Sequence, residues 1–331
     1  MKPIVDVQDL SVHIDLDEGR LDPVRGVSFS IAQGETLGLV GESGCGKSLT
    51  SRAILGINER KCVSKGKILF DVDGKEEDLL ALPYGSREIR SIRGSKAAMI
   101  FQEPMVAFHP MYSIGSQINE STRLHITKDK AESKRITLAM MKQVGIANAE
   151  KRYDQYPHEF SGGMLQRALI AMALVCRPAL LIADEPTTAL DVTIQAQILD
   201  LMKDLQRQYG MAILFITHDL GVVAGMCDRV AVMYLGQIVE QAPVRRIYKH
   251  PLHPYTQGLL GSVHKVGTHE KKKLFSIEGT VPLALNLPDR CGFYERCLKR
   301  GPLCEGKNPP LSAYEDGHLV RCYYPEEALH G

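Results

Sequence analysis

One glycine-rich segment has the residue types and spacing needed to hold a phosphate group. Residues 41–48 read GESGCGKS and match the pattern G-x-x-x-x-G-K-[ST] at every position. Glycines let backbone N–H groups converge on phosphate oxygens, and the following helix N-terminus adds partial positive charge. We expect Lys47 to reach the β- and γ-phosphates of a nucleotide and Ser48 to ligate Mg²⁺. A glycine-rich turn that binds nothing is the alternative, but an apolar run before the segment and a helical pattern after it favour phosphate binding.

Two adjacent carboxylates follow a second apolar run and could complete this chemistry. Residues 180–183 read LLIA, and Asp184 and Glu185 come directly after them. Ligands of parallel α/β sheets bind at the carboxyl ends of the strands. We therefore expect Asp184 to hold Mg²⁺, directly or through water, and Glu185 to polarise an attacking water. An acidic strand end that only caps the next turn is the alternative.

Together the two motifs allow a kinase, a GTPase, a helicase or a transporter ATPase. The chain has no Asn-Lys-x-Asp motif for reading guanine, which disfavours the GTPase. The elements that must position the motifs follow from the hydrophobic pattern. We predict strands at residues 5–14, 24–31, 35–40, 66–72, 180–183, 212–216 and 229–234. We predict helices at residues 47–55, 129–144, 164–176 and 193–208. Because strands alternate with helices, the chain is predicted to form an α/β fold with a mainly parallel sheet.

Composition and charge exclude several classes of protein. The 331 residues include 40 Lys+Arg and 39 Asp+Glu, a net charge of +1 that argues against a dedicated nucleic-acid binder. Hydrophobic residues make up 44% of the chain and charged residues 24%, which excludes wholesale disorder. The most apolar stretch is interrupted by Arg177 and Pro178 and does not predict a membrane span. The first residues lack the apolar core of a signal peptide, so we expect a cytosolic protein that reaches any membrane through a partner.

A third segment narrows the class. Residues 160–164, the signature segment, read FSGGM and resemble the Leu-Ser-Gly-Gly-Gln signature of the ATP-binding cassette (ABC) ATPases, from which they differ at the first and fifth positions. Taken alone, the shared Ser-Gly-Gly at residues 161–163 could simply begin a helix, with Ser161 as its N-cap. The order of motifs carries the resemblance, which covers about residues 4–240. After the phosphate loop come Gln102 in FQEP, the signature segment, Asp184 and Glu185, the triplet Ala189-Leu190-Asp191, and the triplet Thr217-His218-Asp219.

The resemblance implies a fold and a set of roles. The fold is an ABC-type phosphate-loop ATPase over residues 1–240, with a RecA-like parallel sheet core, an antiparallel β subdomain and a helical subdomain at about residues 103–178. Glu185, His218 and Lys47 are the implied catalytic residues, with His218 contacting the γ-phosphate and holding Glu185. Ser48, Gln102 and Asp184 would hold Mg²⁺. The implied ATP-binding residues are Gly41, Ser43, Gly44, Cys45, Gly46, Lys47, Ser48, Leu49 and Gln102.

The family pairs two cassettes head to tail around two nucleotides. Ser161, Gly162, Gly163 and Asp191 would then contact ATP bound to the other cassette, with Asp191 bridging the pair. One departure from the family concerns the base. An aromatic side chain usually stacks on adenine near the second strand, whereas Leu21 stands at about that position here. How adenine is held is therefore open.

The C-terminal extension, residues 241–331, resembles that of oligopeptide/dipeptide ABC importer ATPases, which carry a recurrent His-Pro-Tyr like His253-Pro254-Tyr255. This implies an ATPase subunit that energises uptake of dipeptides, oligopeptides or a related solute. The implied partners are a second, non-identical ABC ATPase, two membrane permeases and an external solute-binding protein, with no nucleic acid. The chain would lie peripherally on the cytoplasmic face of the cell membrane. The alternative is a soluble ABC ATPase of DNA repair or translation, although such proteins usually carry long coiled coils or two cassettes. A small-molecule kinase would not explain the signature segment or His218.

Four cysteines crowd into this extension, which the proline content predicts to be irregular. Cys291, Cys297, Cys304 and Cys322 resemble a four-cysteine tail of the same family, in which some members resemble a [4Fe–4S] protein. Four thiolates suit such a cluster, and zinc held by all four is chemically possible. The short C-x₂-C pairs typical of zinc sites are absent, and unligated thiols or disulfides stay open. Either metal centre would serve mainly to tie down the extension.

Overall fold

The computed structural model describes residues 2–188, 190–262, 277–315 and 317–325. Ala189, which the sequence places in the triplet before the helix at 193–208, lies outside these residues. Contacts along the chain divide it into two units, each built from several segments. Unit 1 contains residues 1–5, 31–35 and 70–215, and unit 2 contains residues 6–30, 36–69 and 216–331.

Each strand and helix that we predicted is present, and the described residues contain further strands and helices that the hydrophobic pattern did not predict. The strands are β1 Pro3–Leu16, β2 Gly19–Ala32, β3 Thr36–Val40, β4 Val63–Val72, β5 Lys75–Asp78, β6 Ala97–Ile100, β7 Leu180–Asp184, β8 Ala212–Thr217, β9 Arg229–Tyr234, β10 Gln237–Pro243, β11 Ser312–Glu315 and β12 His318–Val320. The helices are α1 Lys47–Ile54, α2 Arg87–Ile92, α3 Pro104–Ala107, α4 Ile114–His125, α5 Lys130–Gln143, α6 Ala149–Tyr153, α7 Gly162–Leu174, α8 Val192–Tyr209, α9 Leu220–Met226, α10 Val244–Lys249, α11 Pro254–Gly261 and α12 Leu303–Gly306. None of these described helices is long and apolar enough to cross a bilayer.

In unit 2, the strand before the phosphate loop is held in register by a parallel neighbour. β3 pairs with β9 from Leu37 opposite Arg229 to Val40 opposite Val232. β9 pairs antiparallel with β10, and β10 with β12. Every residue of β3 is buried, as expected of a strand covered on both faces. This pairing fixes the point at which the chain leaves the sheet and enters the phosphate loop.

In unit 1, two short strands carry the chain toward the other predicted site residues. β6 pairs in parallel with β7, from Ala97 opposite Leu180 to Ile100 opposite Ala183, and both strands are buried throughout. Parallel pairing brings the carboxyl ends of both strands to one edge, so the segments that follow them become neighbours. Helices α3 to α7 fill the predicted helical region, and α4, α5 and α7 pack on one another.

The prediction of an irregular C-terminal extension is wrong for several of its segments. Its chain continues from β10 into α10 and α11, and later returns as β11 and β12. β12 pairs with β10, with Val320 opposite Glu240 and Leu319 opposite Gln241. The missed strand has only three residues, too few for a hydrophobic pattern to be recognised.

A buried carboxylate, Glu240, holds this part of the fold together. It is fully buried, and its Oε1 accepts a hydrogen bond from the Leu252 N–H at 2.8 Å and lies 2.8 Å from His318 Nε2. Its Oε2 accepts from the His253 N–H at 2.9 Å. His253 in turn caps α11, because its Nδ1 accepts from the Tyr255 N–H at 3.0 Å. Burial lowers the pKa of His253 to about 4, so its ring is neutral at physiological pH and can accept that bond.

We predict that Glu240→Gln lowers the thermal midpoint of unfolding. Both Glu240 oxygens accept backbone N–H groups, so an amide must turn its own NH₂ toward a donor and leave a buried bond unmade. In a chain of 331 residues, a loss of about 2 kcal/mol corresponds to about 3 °C in a scanning calorimetry trace. The control is Glu315→Gln, which removes an exposed 2.7 Å ion pair with Arg246 and should shift the midpoint by less than about 1 °C. Equal shifts in the two variants would contradict the anchoring role.

Candidate active site

The phosphate loop (residues 41–48) connects β3 to α1. Neighbouring backbone atoms of unit 2 leave no room for a side chain at two of its glycines. A Cβ on Gly41 would lie 2.2 Å from the Met233 carbonyl oxygen. A Cβ on Gly46, whose φ is +103°, would lie 2.2 Å from the Pro23 carbonyl oxygen. Both obstacles are backbone atoms and cannot rotate away. Gly44, with φ +81°, would meet nothing within 4 Å, so its requirement is the left-handed conformation and an open approach.

The predicted phosphate-binding lysine is folded over the loop. Lys47 is only 5% exposed, and its Nζ donates to the Gly41 and Glu42 carbonyls at 2.7 and 3.0 Å. It opens α1, whose first turn contains no acidic residue to offset the positive end of the helix dipole. Ser48 and Leu49 follow it in that first turn, and both are half-buried. The loop, the ammonium group and the helix terminus thus concentrate positive charge and N–H donors on one short segment.

The remaining loop residues differ in exposure. Ser43 is exposed and Cys45 is buried. Burial raises the pKa of the Cys45 thiol, which is therefore neutral. Two side chains outside the loop, Tyr255 and Arg296, contact its second residue, Glu42. The sequence analysis predicts neither as a site residue. It names Tyr255 only as part of the His-Pro-Tyr tripeptide of the resembled family, and no motif includes Arg296.

Unit 1 brings the second predicted carboxylate together with the predicted glutamine. Gln102 follows β6 and Glu185 follows β7, and Gln102 Nε2 donates to Glu185 Oε2 at 3.1 Å. The Thr188 hydroxyl donates to the same oxygen at 2.9 Å. Asp184, the last residue of β7, is 2% exposed. Parallel pairing of two strands thus explains a contact between residues far apart in sequence.

The backbone of Glu185 is in an unusual conformation. Its φ is 48°, in the left-handed region that non-glycine residues rarely adopt. Such a conformation costs about 1–3 kcal/mol and tends to occur where function requires it. It aims the carboxylate at Gln102 and Thr188 instead of continuing the strand direction.

The signature segment and Asp191 line one open pocket within unit 1. Ser161 caps α7, its Oγ accepting from the Met164 N–H at 3.4 Å, and Asp191 caps α8 by accepting from the Thr193 and Ile194 N–H groups at 3.1 and 3.0 Å. The pocket has a volume of about 590 Å³. A Cβ on Gly162 would meet nothing within 4 Å, whereas one on Gly163 would lie 3.0 Å from Ile194 Cγ2. No described residue therefore requires the small size of Gly162.

The predicted partnerships of Ser48 with Gln102 and Asp184, and of His218 with Glu185, join residues of different units and stay predictions. His218 is exposed and follows β8, next to Asp219, which caps α9 by accepting from the Gly221 N–H at 2.7 Å. Leu21, at the expected adenine position, is half-buried and bridges to Leu285 of the C-terminal extension. The aliphatic character of this position departs from the family pattern.

The arrangement of the four clustered cysteines bears on whether they could hold a metal ion. In the described part of the chain, no group of three or more His, Cys, Asp and Glu side chains is arranged to hold a metal ion. All four are free thiols, which argues against disulfides. They nevertheless lie near one another: the Cys291 N–H donates to the Cys304 carbonyl at 3.0 Å. Burial, together with the other three thiols, raises the pKa of Cys322 to about 12. The described residues therefore show no preformed arrangement of these side chains for a metal ion.

Comparison with known families gives two matches along the chain. Residues 24–188 match the ABC transporter family, and residues 239–304 match the oligopeptide/dipeptide transporter C-terminal region. The dipeptide transport ATP-binding protein DppD of Bacillus subtilis is 45% identical over 99% of this chain and 96% of its own length. The oligopeptide transport ATP-binding protein OppD of Salmonella typhimurium is 44% identical over 98% of this chain and 95% of its own.

Solved structures share the fold. The ATP-binding cassette MJ0796 bound to ADP and Pi gives a TM-score of 0.63 at 23% identity, over 73% of this chain and 99% of that chain. CbiO1 from Clostridium perfringens, part of the ABC transporter complex cbiONQ, gives 0.61 at 28% identity, over 75% of this chain and 91% of that chain. The predicted ABC ATPase fold is therefore confirmed.

We predict that Gly46→Ala weakens nucleotide binding at least tenfold (about 1.4 kcal/mol), because the new methyl group would displace the loop from the Pro23 carbonyl. Equilibrium titration with a fluorescent ATP analogue and Mg²⁺ measures this. Gly34→Ala is the matched control: its φ is +75°, but nothing lies within 4 Å of the added Cβ. It should cost about 1 kcal/mol of stability and leave the affinity unchanged. Equal affinities in the two variants would show that the close approach at Gly46 is unimportant.

Proposed function

Because the chain belongs to the ABC transporter family, we propose that it is the ATP-binding and ATP-hydrolysing subunit of an importer for dipeptides or oligopeptides. The observation that carries the proposal is the pairing, in one chain, of an ABC cassette match with an oligopeptide/dipeptide transporter C-terminal match. Relatives named for dipeptide and oligopeptide transport align with almost the whole chain. The solute itself is set by the permeases and the external binding protein.

In this function the phosphate loop binds the nucleotide. Residues 41 and 43–49 surround the phosphates, and Lys47 exchanges its two carbonyl acceptors for phosphate oxygens. Ser48, Gln102 and Asp184 offer the hydroxyl, amide and carboxylate oxygens that Mg²⁺ prefers. Bound Mg²⁺ would neutralise charge on the phosphates. Leu21 offers adenine an aliphatic contact.

Glu185 is the proposed general base. Gln102 and Thr188 donate to one of its oxygens, Oε2, and this holds the carboxylate in one orientation. A carboxylate fixed in this way can accept a proton from the attacking water without reorganising. His218 is proposed to contact the γ-phosphate and to hold Glu185 from the segment after β8.

The signature segment is proposed to serve a second cassette. Ser161, Gly162, Gly163 and Asp191 would close over ATP bound to a partner ATPase subunit, in a heterodimer. The open pocket that these residues line, and the unobstructed space at Gly162, support this role. The helix N-terminus at Ser161 adds N–H donors for an anionic ligand.

Four exposed apolar side chains follow Gln102 in sequence and form the proposed docking site for a permease. Met105 is 59% exposed, Val106 77%, Met111 74% and Tyr112 60%. Large apolar side chains clustered on a surface mark interaction sites. Their closeness in sequence to Gln102 would couple the permease to the ATP site. The chain would thus lie peripherally on the cytoplasmic face of the cell membrane.

We also propose a [4Fe–4S] cluster held by Cys291, Cys297, Cys304 and Cys322, with zinc as the alternative. The other three thiols each act on the pKa of Cys322, so the four lie in one region of unit 2. Four cysteine thiolates are the usual ligand set of such a cluster and can also hold zinc. When bound, it would cross-link the extension. Anaerobic purification followed by iron, sulfide and zinc assays tests this, and absence of all three would refute it.

A soluble ABC ATPase of DNA repair or translation is the alternative function. Mild-detergent purification from native membranes, with mass spectrometry of the partners, distinguishes the two. Two permeases, a second ABC ATPase and a peptide-type binding protein are expected. Ribosomal or DNA-repair partners without any membrane protein would overturn the transport function and leave the ATPase chemistry standing.

We predict that Glu185→Gln retains ATP binding and lowers turnover by at least a hundredfold, because the amide cannot accept the proton of the attacking water. Phosphate release by the purified complex measures turnover, and filter binding measures ATP retention. Glu103→Gln, one residue beyond Gln102 and exposed, is the control and should hydrolyse ATP normally. Turnover near the wild-type rate in Glu185→Gln would remove Glu185 from the role of base.

A further inference from the structure

The second residue of the phosphate loop, Glu42, is held from outside the loop by the C-terminal extension. Arg296 forms a bidentate ion pair with it, with Nη1 2.6 Å from Oε2 and Nη2 3.0 Å from Oε1. The Glu42 backbone N–H donates to the Tyr255 hydroxyl at 2.9 Å. Tyr255 and Arg296 lie 213 and 254 positions further along the chain. Both the side chain and the backbone of one loop residue are therefore fixed by the extension.

The surroundings of Arg296 make this ion pair stronger than a surface pair. Its side chain is 6% exposed and that of Glu42 is 32% exposed. Its Nε donates to the Glu278 carbonyl at 2.9 Å and its Nη2 to the Gly279 carbonyl at 3.0 Å, so the guanidinium is oriented before it meets Glu42. Bidentate, charge-assisted bonds with buried donors are among the strongest in proteins. The ion pair raises the pKa of Arg296 further, so this charge is permanent.

Three aromatic rings support the contact from below. Tyr234 lies 4.7 Å from Tyr255 and 5.1 Å from Phe293 between ring centroids, and Tyr255 lies 5.4 Å from Phe293. The Arg296 guanidinium lies 5.7 Å from the Tyr234 centroid. Burial raises the pKa of Tyr255, so its hydroxyl is neutral when it accepts from Glu42. Phe293 and Arg296 both belong to the segment between Cys291 and Cys297.

We propose that Arg296 and Tyr255 are positioning residues for the phosphate loop, so that nucleotide affinity depends on the C-terminal extension. This rests on the proposed function, in which Lys47 binds the phosphates. Without a nucleotide, Lys47 itself braces the loop by donating to the Gly41 and Glu42 carbonyls. When Lys47 turns to a phosphate, those bonds are lost. Arg296 and Tyr255 then keep residue 42 in place, and the loop holds its shape while loaded.

Substitution of Arg296 tests this in the full-length chain. Titration with a fluorescent ATP analogue and Mg²⁺ should give a Kd about tenfold higher for Arg296→Gln, or about 1.4 kcal/mol. The KM for ATP should rise with the Kd, while kcat at saturating ATP stays within about twofold, since bound nucleotide restores the loop. Arg296→Lys should recover part of the affinity, because it keeps the charge but not the fork. Tyr255→Phe should weaken binding about fivefold by leaving the Glu42 N–H without its acceptor.

Arg290→Gln is the matched control. Arg290 lies in the same extension, and its ion pair is with Glu295, at 2.6 Å. Its Kd should stay within about twofold of wild type. In a double-mutant cycle, the variant that carries both Glu42→Gln and Arg296→Gln should bind the ATP analogue no more weakly than the weaker-binding of the two single variants. The proposal is overturned if Arg296→Gln binds ATP normally, if Arg290→Gln is equally weakened, or if the two single effects add.

Lys47→Ala separates failure of this proposal from failure of the proposed function. If Lys47→Ala binds the analogue like wild type, the phosphate loop is not the nucleotide site. If Lys47→Ala loses binding while Arg296→Gln keeps it, only the positioning role fails. Should Arg296→Gln not fold, Arg296→Lys and Tyr255→Phe decide the question, since wild-type affinity in both would contradict it.

Discussion

The turn from β3 into α1 leaves no room for side chains on its inner face, and much of unit 2 is arranged around this constraint. The obstacles at Gly41 and Gly46 are the carbonyls of Met233 and Pro23, from β9 and β2. The Pro23 carbonyl would also lie 2.9 Å from a Cβ on Gly236. Two strands and the turn after β9 therefore pack directly, backbone against backbone, around the loop. A loop packed this closely can present its N–H groups to an anion without the entropy cost of being ordered on binding.

The C-terminal extension contributes to the same end through a series of buried polar contacts. The Glu240 carboxylate fixes the backbone at His253, and His253 caps the helix that begins there. That helix places Tyr255, whose hydroxyl accepts from the N–H of Glu42, the second residue of the loop. Each of these hydrogen bonds is buried or half-buried, so water has little access to replace either partner. The His-Pro-Tyr tripeptide is thus a structural connection between the sheet and the phosphate loop.

Sequence reasoning predicted the local structure around the motifs correctly. Short patterns report local backbone geometry, and the strands that precede Lys47 and the pair Asp184 and Glu185 are plain apolar runs. The chemical roles of these three residues stay predictions. The contact between Gln102 and Glu185 depends on the parallel pairing of β6 with β7, which the sequence pattern does not reveal. The contact between Arg296 and Glu42 spans 254 positions and leaves no periodic or local signal. The β12 strand was missed because three residues form a strand only through pairing with β10.

The segment between Cys291 and Cys297 lies between the clustered cysteines and the phosphate loop, because it contains the residue that binds Glu42. Phe293 and Arg296 are separated from Cys291 and Cys297 by at most a few bonds of backbone, and the Cys297 N–H donates to the Tyr294 carbonyl at 3.3 Å. This segment has only a single short 3₁₀ turn, Tyr294–Arg296, so it has little stability of its own. Its contacts with the rest of unit 2 therefore hold the guanidinium at Glu42: the Phe293 ring packs against Tyr234 and Tyr255, and Arg296 donates to the Glu278 and Gly279 carbonyls.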